Sequence, residues 1–417
     1  MLRKSSEMAA LAPAPPARAG LAGLLDARGD EQWPFYDDDE IAAVAAVLRS
    51  GRVNQWTGPD VFAFEEACAE RFGGGRAIAL ANGSVALELA LRAFGIGPGD
   101  EVIVSPRSFV ASASCARLVG ATPVFADVDA DSGNITAASV ARVLTDRTRA
   151  IIPVHLAGWP ADVPGIMDLV RGRDVKVIED CAQAHGAEID GASVGSFGDA
   201  AAFSFCQDKI ISTGGEGGLL TIKDETAWKW AWPFKDHGKD IAKSTAPAGE
   251  PGMFRWLHDR IGTNWRLTGP QAAIGRIQLG KLEGWNAARS RNAAIWAEAL
   301  GKVAGLRVPL PAGNSLRHAF YKLYFTIDGR TDAEAGQLRS DILRQATSEG
   351  LRVFSGSCSE IYLEEAFADL ARADCPVSRS LGARSLMVEV HPTLRPDLLK
   401  LRAERLADLA AAVLGQG

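Results

Sequence analysis

Lys209 stands between an apolar, strand-like run, AAFSF, and a turn built from Gly214, Gly215, Gly217 and Gly218. Glycines allow the backbone to reverse sharply there, so the lysine is held at a turn and not on a solvated face. A lysine amine attacks carbonyls, and partial desolvation lowers the cost of losing its proton, so Schiff-base chemistry is the chemistry to expect. A surface lysine in a glycine loop is the alternative on this stretch alone. A second candidate, Asp180, ends the apolar run VKVIED beside Glu179. A carboxylate at the end of a buried strand is costly unless it meets a cation or donor. Gln183 and His185 follow in CAQAHG, as part of a site or of a satisfied structural network.

Elements must carry these residues to one place. From Arg76 onward, short β-rich runs (AIALA, EVIVSP, TPVFADV, RAIIPVHL, VKVIED, AAFSF, GGLLTI) alternate with helical segments of ten to thirteen residues. That rhythm is the signature of a mostly parallel sheet covered by helices on both faces, and ligands bind beyond the carboxyl ends of its strands. Asn82-Gly83-Ser84 follows one strand and opens a helix, offering backbone N–H groups and a hydroxyl to a phosphate, or merely capping the helix. Phe109 follows another strand; it can stack on a planar ligand or join the core. Two amphipathic helices, Asp37–Leu48 and Asp60–Phe72, precede the alternation, with Trp56 packed in their linker. The segment Trp228–Gly262 reads as mostly irregular, and Pro270 opens a long helix toward Leu300. The expected fold class is α/β: a tail over 1–31, a large domain over 32–285, and a smaller C-terminal α+β domain over 286–417.

The 417 residues are 47% hydrophobic and 23% charged with net charge −6, which suits a globular protein and gives no general footprint for nucleic acid or an anionic membrane. Six cysteines lack CxxC spacing and point to a reducing compartment; no apolar run approaches the roughly 18 residues of a membrane span, so a cytoplasmic protein is expected. Neither GxGxxG after an early strand, GxxxxGK[ST], HExxH nor GxSxG occurs, so dinucleotide, P-loop, zinc-protease and α/β-hydrolase readings fall away and no metal is expected. A lysine, an acid and a phosphate cradle remain. Together they meet the demands of pyridoxal phosphate: an amine to bond it, an acid for its pyridine nitrogen, and an anchor for its phosphate.

The motifs NGSVALELAL, GIGPGDEVIVSPRSFVASAS, GATPVFADVD, VIEDCAQAHGA, FSFCQDKIISTGGEGG, DHGKD, GTNWRLTGPQAAIGRIQL and SLMVEVHPTL occur in this order. In them the chain resembles the DegT/DnrJ/EryC1/StrS sugar aminotransferases, a branch of the fold type I pyridoxal phosphate-dependent transferases, from about Trp33 to the C-terminus. The resemblance implies that Lys209 bonds the cofactor, Asp180 meets the pyridine nitrogen, Gln183 the ring hydroxyl, and Phe109 stacks on the ring. Gly83, Ser84 and Ser204 match phosphate contacts. Asn264 matches a residue that reaches the phosphate from the other subunit, implying a homodimer with shared sites. Cys206 departs from a histidine common in the family, within a string, SFCQDK, that resembles a subgroup acting on UDP-linked N-acetylated sugars. Lys322, in YKLY, matches a substrate-facing position often held by histidine, with a surface lysine as the alternative.

The implied reaction moves an amino group from glutamate to the C-4 ketone of a nucleotide-linked 4-keto-6-deoxysugar, for surface polysaccharide or O-antigen synthesis. A 3-keto sugar aminotransferase, a sugar dehydratase and a cofactor-binding regulatory protein are the alternatives. Retention of Lys209, where the dehydratase branch has histidine, favours transamination.

Overall fold

The computed structural model describes residues 31–247 and 253–415; the tail expected at 1–31 lies, except for Glu31, outside the described residues. The N-terminal half supplies strands β1 (Arg76–Leu80), β2 (Glu101–Val104), β3 (Thr122–Phe125), β4 (Thr148–Ile152), β5 (Lys176–Asp180), β6 (Glu188–Ile189), β7 (Ala192–Ser193), β8 (Ala200–Ser204) and β9 (Gly218–Ile222). Seven of them form one sheet in the order β1-β9-β8-β5-β4-β2-β3. β9 alone runs against its neighbours; β8, β5, β4, β2 and β3 are mutually parallel.

Alternation along each strand divides the core in two. In β1, Ile78 and Leu80 pack with the helices Gly83–Ala93 and Ala111–Leu118, whereas Ala77 and Ala79 face Phe64 and Phe72 of the helix Asp60–Phe72. Both faces of the sheet are therefore covered, which is why its strands read as unbroken apolar runs. Burial of Phe64, Phe72 and Phe203, none measurably exposed, stabilises the fold by about 2–3 kcal/mol each. Lys235, also inaccessible, donates to Glu65 Oε1 at 2.8 Å, and that oxygen also accepts the Ala79 N–H, pinning the helix to β1.

Trp228–Gly262, expected to be mostly irregular, is so over most of its described residues, but two helices, Glu225–Phe234 and Ile241–Thr245, enter it. Asp224 caps the first helix by accepting the Ala227 N–H, and Ala227, Ala231 and Trp232 bury one face against the core. Trp228, Trp230 and Trp232 thus belong to a helix that packs on the core. Trp56 packs edge-on against Trp232 and donates to Asp236 Oδ2 at 2.6 Å.

The helix Gly269–Leu300 runs the full expected length. Its Ala272 and Leu282 pack with the large sheet, while Ala293, Trp296 and Leu300 join a separate C-terminal cluster. That cluster surrounds an antiparallel sheet, β10-β12-β14-β13, made from β10 (Leu306–Arg307), β12 (Leu323–Ile327), β13 (Val353–Phe354) and β14 (Ser385–Val388). β11 (Leu316–Arg317) pairs instead with β6, tying the two regions together. Among the described residues no helix is long and apolar enough to cross a membrane.

Candidate active site

The carboxyl ends of β1, β2, β5 and β8 open on one cavity of about 590 Å³, whose lining includes Gly83, Ser84, Phe109, Asp180, Gln183, Ser204 and Lys209. Seven of the eight residues expected to hold the cofactor thus line one cavity. The eighth, Asn264, is exposed and pairs with Asp236 through a backbone bridge, outside the cavity of its own chain.

At one end lies the start of the helix Gly83–Ala93. Asn82, extended at φ −166°, caps it by accepting the Val85 N–H at 3.0 Å, which leaves the N–H groups of Gly83 and Ser84 and the Ser84 hydroxyl for a ligand. Ser204, at the end of β8, completes this corner. A Cβ on residue 83 would lie 2.8 Å from Ser204 Cβ and 3.3 Å from the Phe203 carbonyl oxygen, so only glycine lets the helix start close on the strand. Positive helix-end charge and convergent donors suit a phosphate. Cys206, where a histidine was the familiar residue, leans its Sγ toward Glu216 at 3.8 Å.

At the other end, Asp180 is only 5% exposed. Its Oδ2 accepts from Ser112 Oγ at 2.7 Å and its Oδ1 from the Ala182 N–H at 3.1 Å, and Ser112 shares a 3.0 Å hydrogen bond with Ser108. Burial pushes the carboxyl above its ordinary range despite these donors and the nearby Lys209 charge. Among the described residues no cation pairs with it directly, so a protonated ring nitrogen would supply the missing partner. Phe109, 66% exposed, flanks the cavity and is no core residue. Gln183 accepts the Ala157 N–H through Oε1 at 2.8 Å, leaving its Nε2 donors for the cavity.

Lys209 sits on a loop cinched at its neck. Phe205 N–H donates to Gly217 at 2.8 Å, Gln207 N–H to Gly215 at 3.0 Å, and Thr213 N–H returns to Phe205 at 3.1 Å. Trp33 Nε1 holds the Lys209 carbonyl at 2.9 Å, and the buried guanidinium of Arg289 lies 4.9 Å from the centre of the Trp33 ring. Burial pushes the Arg289 group down to about 9. Lys209 Nζ is 3.7 Å from Asp208 Oδ1, and Asp208 accepts the Tyr321 hydroxyl. Burial opposes ionisation of Asp208, but the Lys209 charge and that hydroxyl hold its carboxyl below the ordinary range.

The structure separates residues that looked alike in sequence. Glu179 points to the opposite face from Asp180 and is fully satisfied by His155 and by the N–H groups of Gly195, Phe197 and Gly198. Although burial works to raise it, these donors hold the Glu179 carboxyl low. His155 Nδ1 accepts the Ala161 N–H, which puts its proton on Nε2, toward Glu179. His185 lies apart from the cavity among Phe72, Phe203 and Phe205, neutral because burial pushes it down to about 3.

Lys322 is not a surface lysine. It lines a second chamber of about 520 Å³ that shares Ser108, Phe109, Gln183, Asp208 and Lys209 with the first. Sequence reasoning missed Ser112, Trp33 and Asp208. For Ser112 the signal was its place one helical turn beyond Ser108; nothing in sequence marks Trp33, 176 residues from its partner.

Comparison with known proteins identifies the family. Residues 34–404 match the model of the DegT/DnrJ/EryC1/StrS aminotransferase family. The chain is 38% identical over 342 residues to a UDP-N-acetyl-3-dehydro-alpha-D-glucosamine 3-aminotransferase of Acidithiobacillus ferrooxidans, covering 80% of this chain and 84% of that one. It is 36% identical over 335 residues to a GDP-perosamine synthase of Caulobacter vibrioides, covering 79% and 85%. The crystal structure of an aminotransferase from Psychrobacter cryohalolentis superposes with a TM-score of 0.85 at 45% identity, covering 92% of this chain and 99% of that one. With its fold and a family match spanning most of its length, the chain belongs to the DegT/DnrJ/EryC1/StrS aminotransferase family.

Proposed function

We propose that the chain moves the amino group of glutamate onto the ketone of a UDP-linked 2-acetamido sugar. The observation that carries this reading is the placement of Lys209 and Asp180 in one cavity, between the helix start at Gly83 and the exposed ring of Phe109. Pyridoxal phosphate, the cofactor, supplies when bound a carbonyl that exchanges for an amine and a ring that accepts electrons.

The chain's own groups do the rest. Gly83, Ser84 and Ser204 hold the phosphate; Phe109 covers the ring; Gln183 donates to the ring hydroxyl. Asp180 keeps the proton on the ring nitrogen. Lys209 gives the covalent attachment and, once displaced by the donor, moves a proton at the donor's α-carbon and later, in reverse, at the sugar carbon. Glutamate leaves as its 2-oxo acid in the first half, consuming one water, and the sugar's ketone oxygen leaves as water in the second. One cavity serving both substrates in turn requires ping-pong kinetics.

The sequence expectation puts the ketone at C-4 of a 6-deoxysugar. A second reading, C-3, is favoured by the function of the Acidithiobacillus relative. Incubation with glutamate and a panel of UDP-, dTDP- and GDP-keto sugars, with NMR of the product, tests both: nitrogen at C-4 or C-3 chooses between them. Loss of a hydroxyl without nitrogen gain rejects transamination.

We also propose a cytoplasmic homodimer serving surface polysaccharide or O-antigen synthesis, with Asn264 completing the partner's site. Support comes from the exposed Asn264 and its apolar neighbours Phe254, Trp256 and Ile261, of which Ile261 is 90% exposed. Exposed large apolar side chains concentrated in one segment suit a surface for another chain to cover.

A further inference from the structure

The chamber beyond Lys209 holds a charge cluster that the cofactor does not need. Glu389 accepts from Arg352 Nε at 2.8 Å through Oε2, and through Oε1 from Arg352 Nη2 and Lys322 Nζ, each at 3.2 Å. All three side chains line the chamber. One carboxylate thus faces two cations, and the excess is positive; Asp208, the other carboxylate of the chamber, is engaged with Tyr321 and Lys209. After Glu389 is satisfied, Lys322 keeps two N–H donors and Arg352 its Nη1 group. Burial pushes the Lys322 ammonium downward, and a further anion would relieve that cost.

The cluster is also near the chemistry. Lys209 Nζ lies 5.0 Å and Lys322 Nζ 5.3 Å from the centre of the same Tyr321 ring, so the two amines are no more than about 10 Å apart. An amino-acid donor carries carboxylates and a nucleotide-linked acceptor carries a diphosphate; a fork of Arg and Lys binds either. We propose that Lys322 and Arg352, held in place by Glu389, form the receptor for an anionic group of the substrate and thereby set its reacting carbon over Lys209. This rests on the aminotransferase reading above. Glu389 is the positioning residue: its bidentate grip fixes the guanidinium plane.

The test uses the cofactor-loaded protein and two probes that cannot react, glutarate and UDP, in titration calorimetry. Arg352→Met and Lys322→Met should weaken at least one probe by about 10-fold or more. Weakening of glutarate alone assigns the receptor to the donor's carboxylate, of UDP alone to the acceptor's phosphates, and of both to a receptor used in turn. Retained visible absorption of the bound cofactor shows that the variants fold. If the wild type binds neither probe, or both variants bind both as the wild type does, the proposal is overturned. Failure of glutamate to change the cofactor absorption of the wild type would instead strike the aminotransferase reading, whatever the calorimetry gives.

Discussion

Ser112 donates its hydroxyl to Asp180 Oδ2 at 2.7 Å, yet burial still raises the Asp180 carboxyl above its ordinary value of 3.8. A carboxyl raised in the folded state contributes stability below its unfolded value, and that contribution is lost as pH rises through the folded one. Melting of cofactor-free protein from pH 4 to 8 should therefore show the wild type losing stability relative to Asp180→Asn as pH rises. Loading the cofactor should reverse the order at neutral pH. A difference that does not vary with pH removes the cation-seeking role from Asp180. The same variant should keep bound cofactor and lose both half-reactions.

For Lys209 the expectation is covalent. Borohydride reduction of the loaded protein followed by peptide mapping should place the tag on Lys209, and Lys209→Ala should bind cofactor without a reducible link. Turnover should fall by about 10³-fold or more, because nucleophile and proton carrier are lost together. A tag on another lysine refutes the assignment.

Gly83→Ala tests the phosphate corner. The added methyl meets Ser204 Cβ at 2.8 Å, so the helix start must back away from β8. We expect about 1–3 kcal/mol lost in stability and weaker cofactor binding, read by melting and by cofactor titration. Unchanged binding would mean that the corner does not hold the phosphate.

Sharing of sites between subunits is decided by complementation. Mixing inactive Lys209→Ala and Asn264→Ala proteins should restore activity, since random exchange leaves about a quarter of all sites intact. No recovery, with subunit exchange verified, means that Asn264 serves its own chain or none.

The sheet and most of the cavity were legible in the sequence because both follow from local rules. Unbroken apolar runs in β1 and β5, a capped helix start after β1, and a glycine turn after β8 need only nearby residues. Of the two neighbouring acids, Asp180 was the candidate because it ends the strand; strand alternation sends Glu179 to a ring of backbone N–H groups and Asp180 to Ser112. Most of the described part of Trp228–Gly262 is irregular as its composition suggested, and what composition did not mark is the helix that the cap at Asp224 starts. Trp33, Asp208 and the Lys322–Glu389–Arg352 cluster depend on contacts between distant segments, and no periodicity records those.

The cinched loop around Lys209 has a thermodynamic consequence. Its neck hydrogen bonds and the five-pair register of β8 with β9 are all made within the chain and use no ligand atom. The ordering of those residues, about 1–2 kcal/mol each, is therefore charged to folding and not to cofactor loading. Attachment of the cofactor then draws its affinity from a receptor already in shape. The heat-capacity change that accompanies it should reflect the surface that ring and phosphate cover, apolar and polar burial contributing with opposite sign, without the larger contribution of a segment that folds around the ligand.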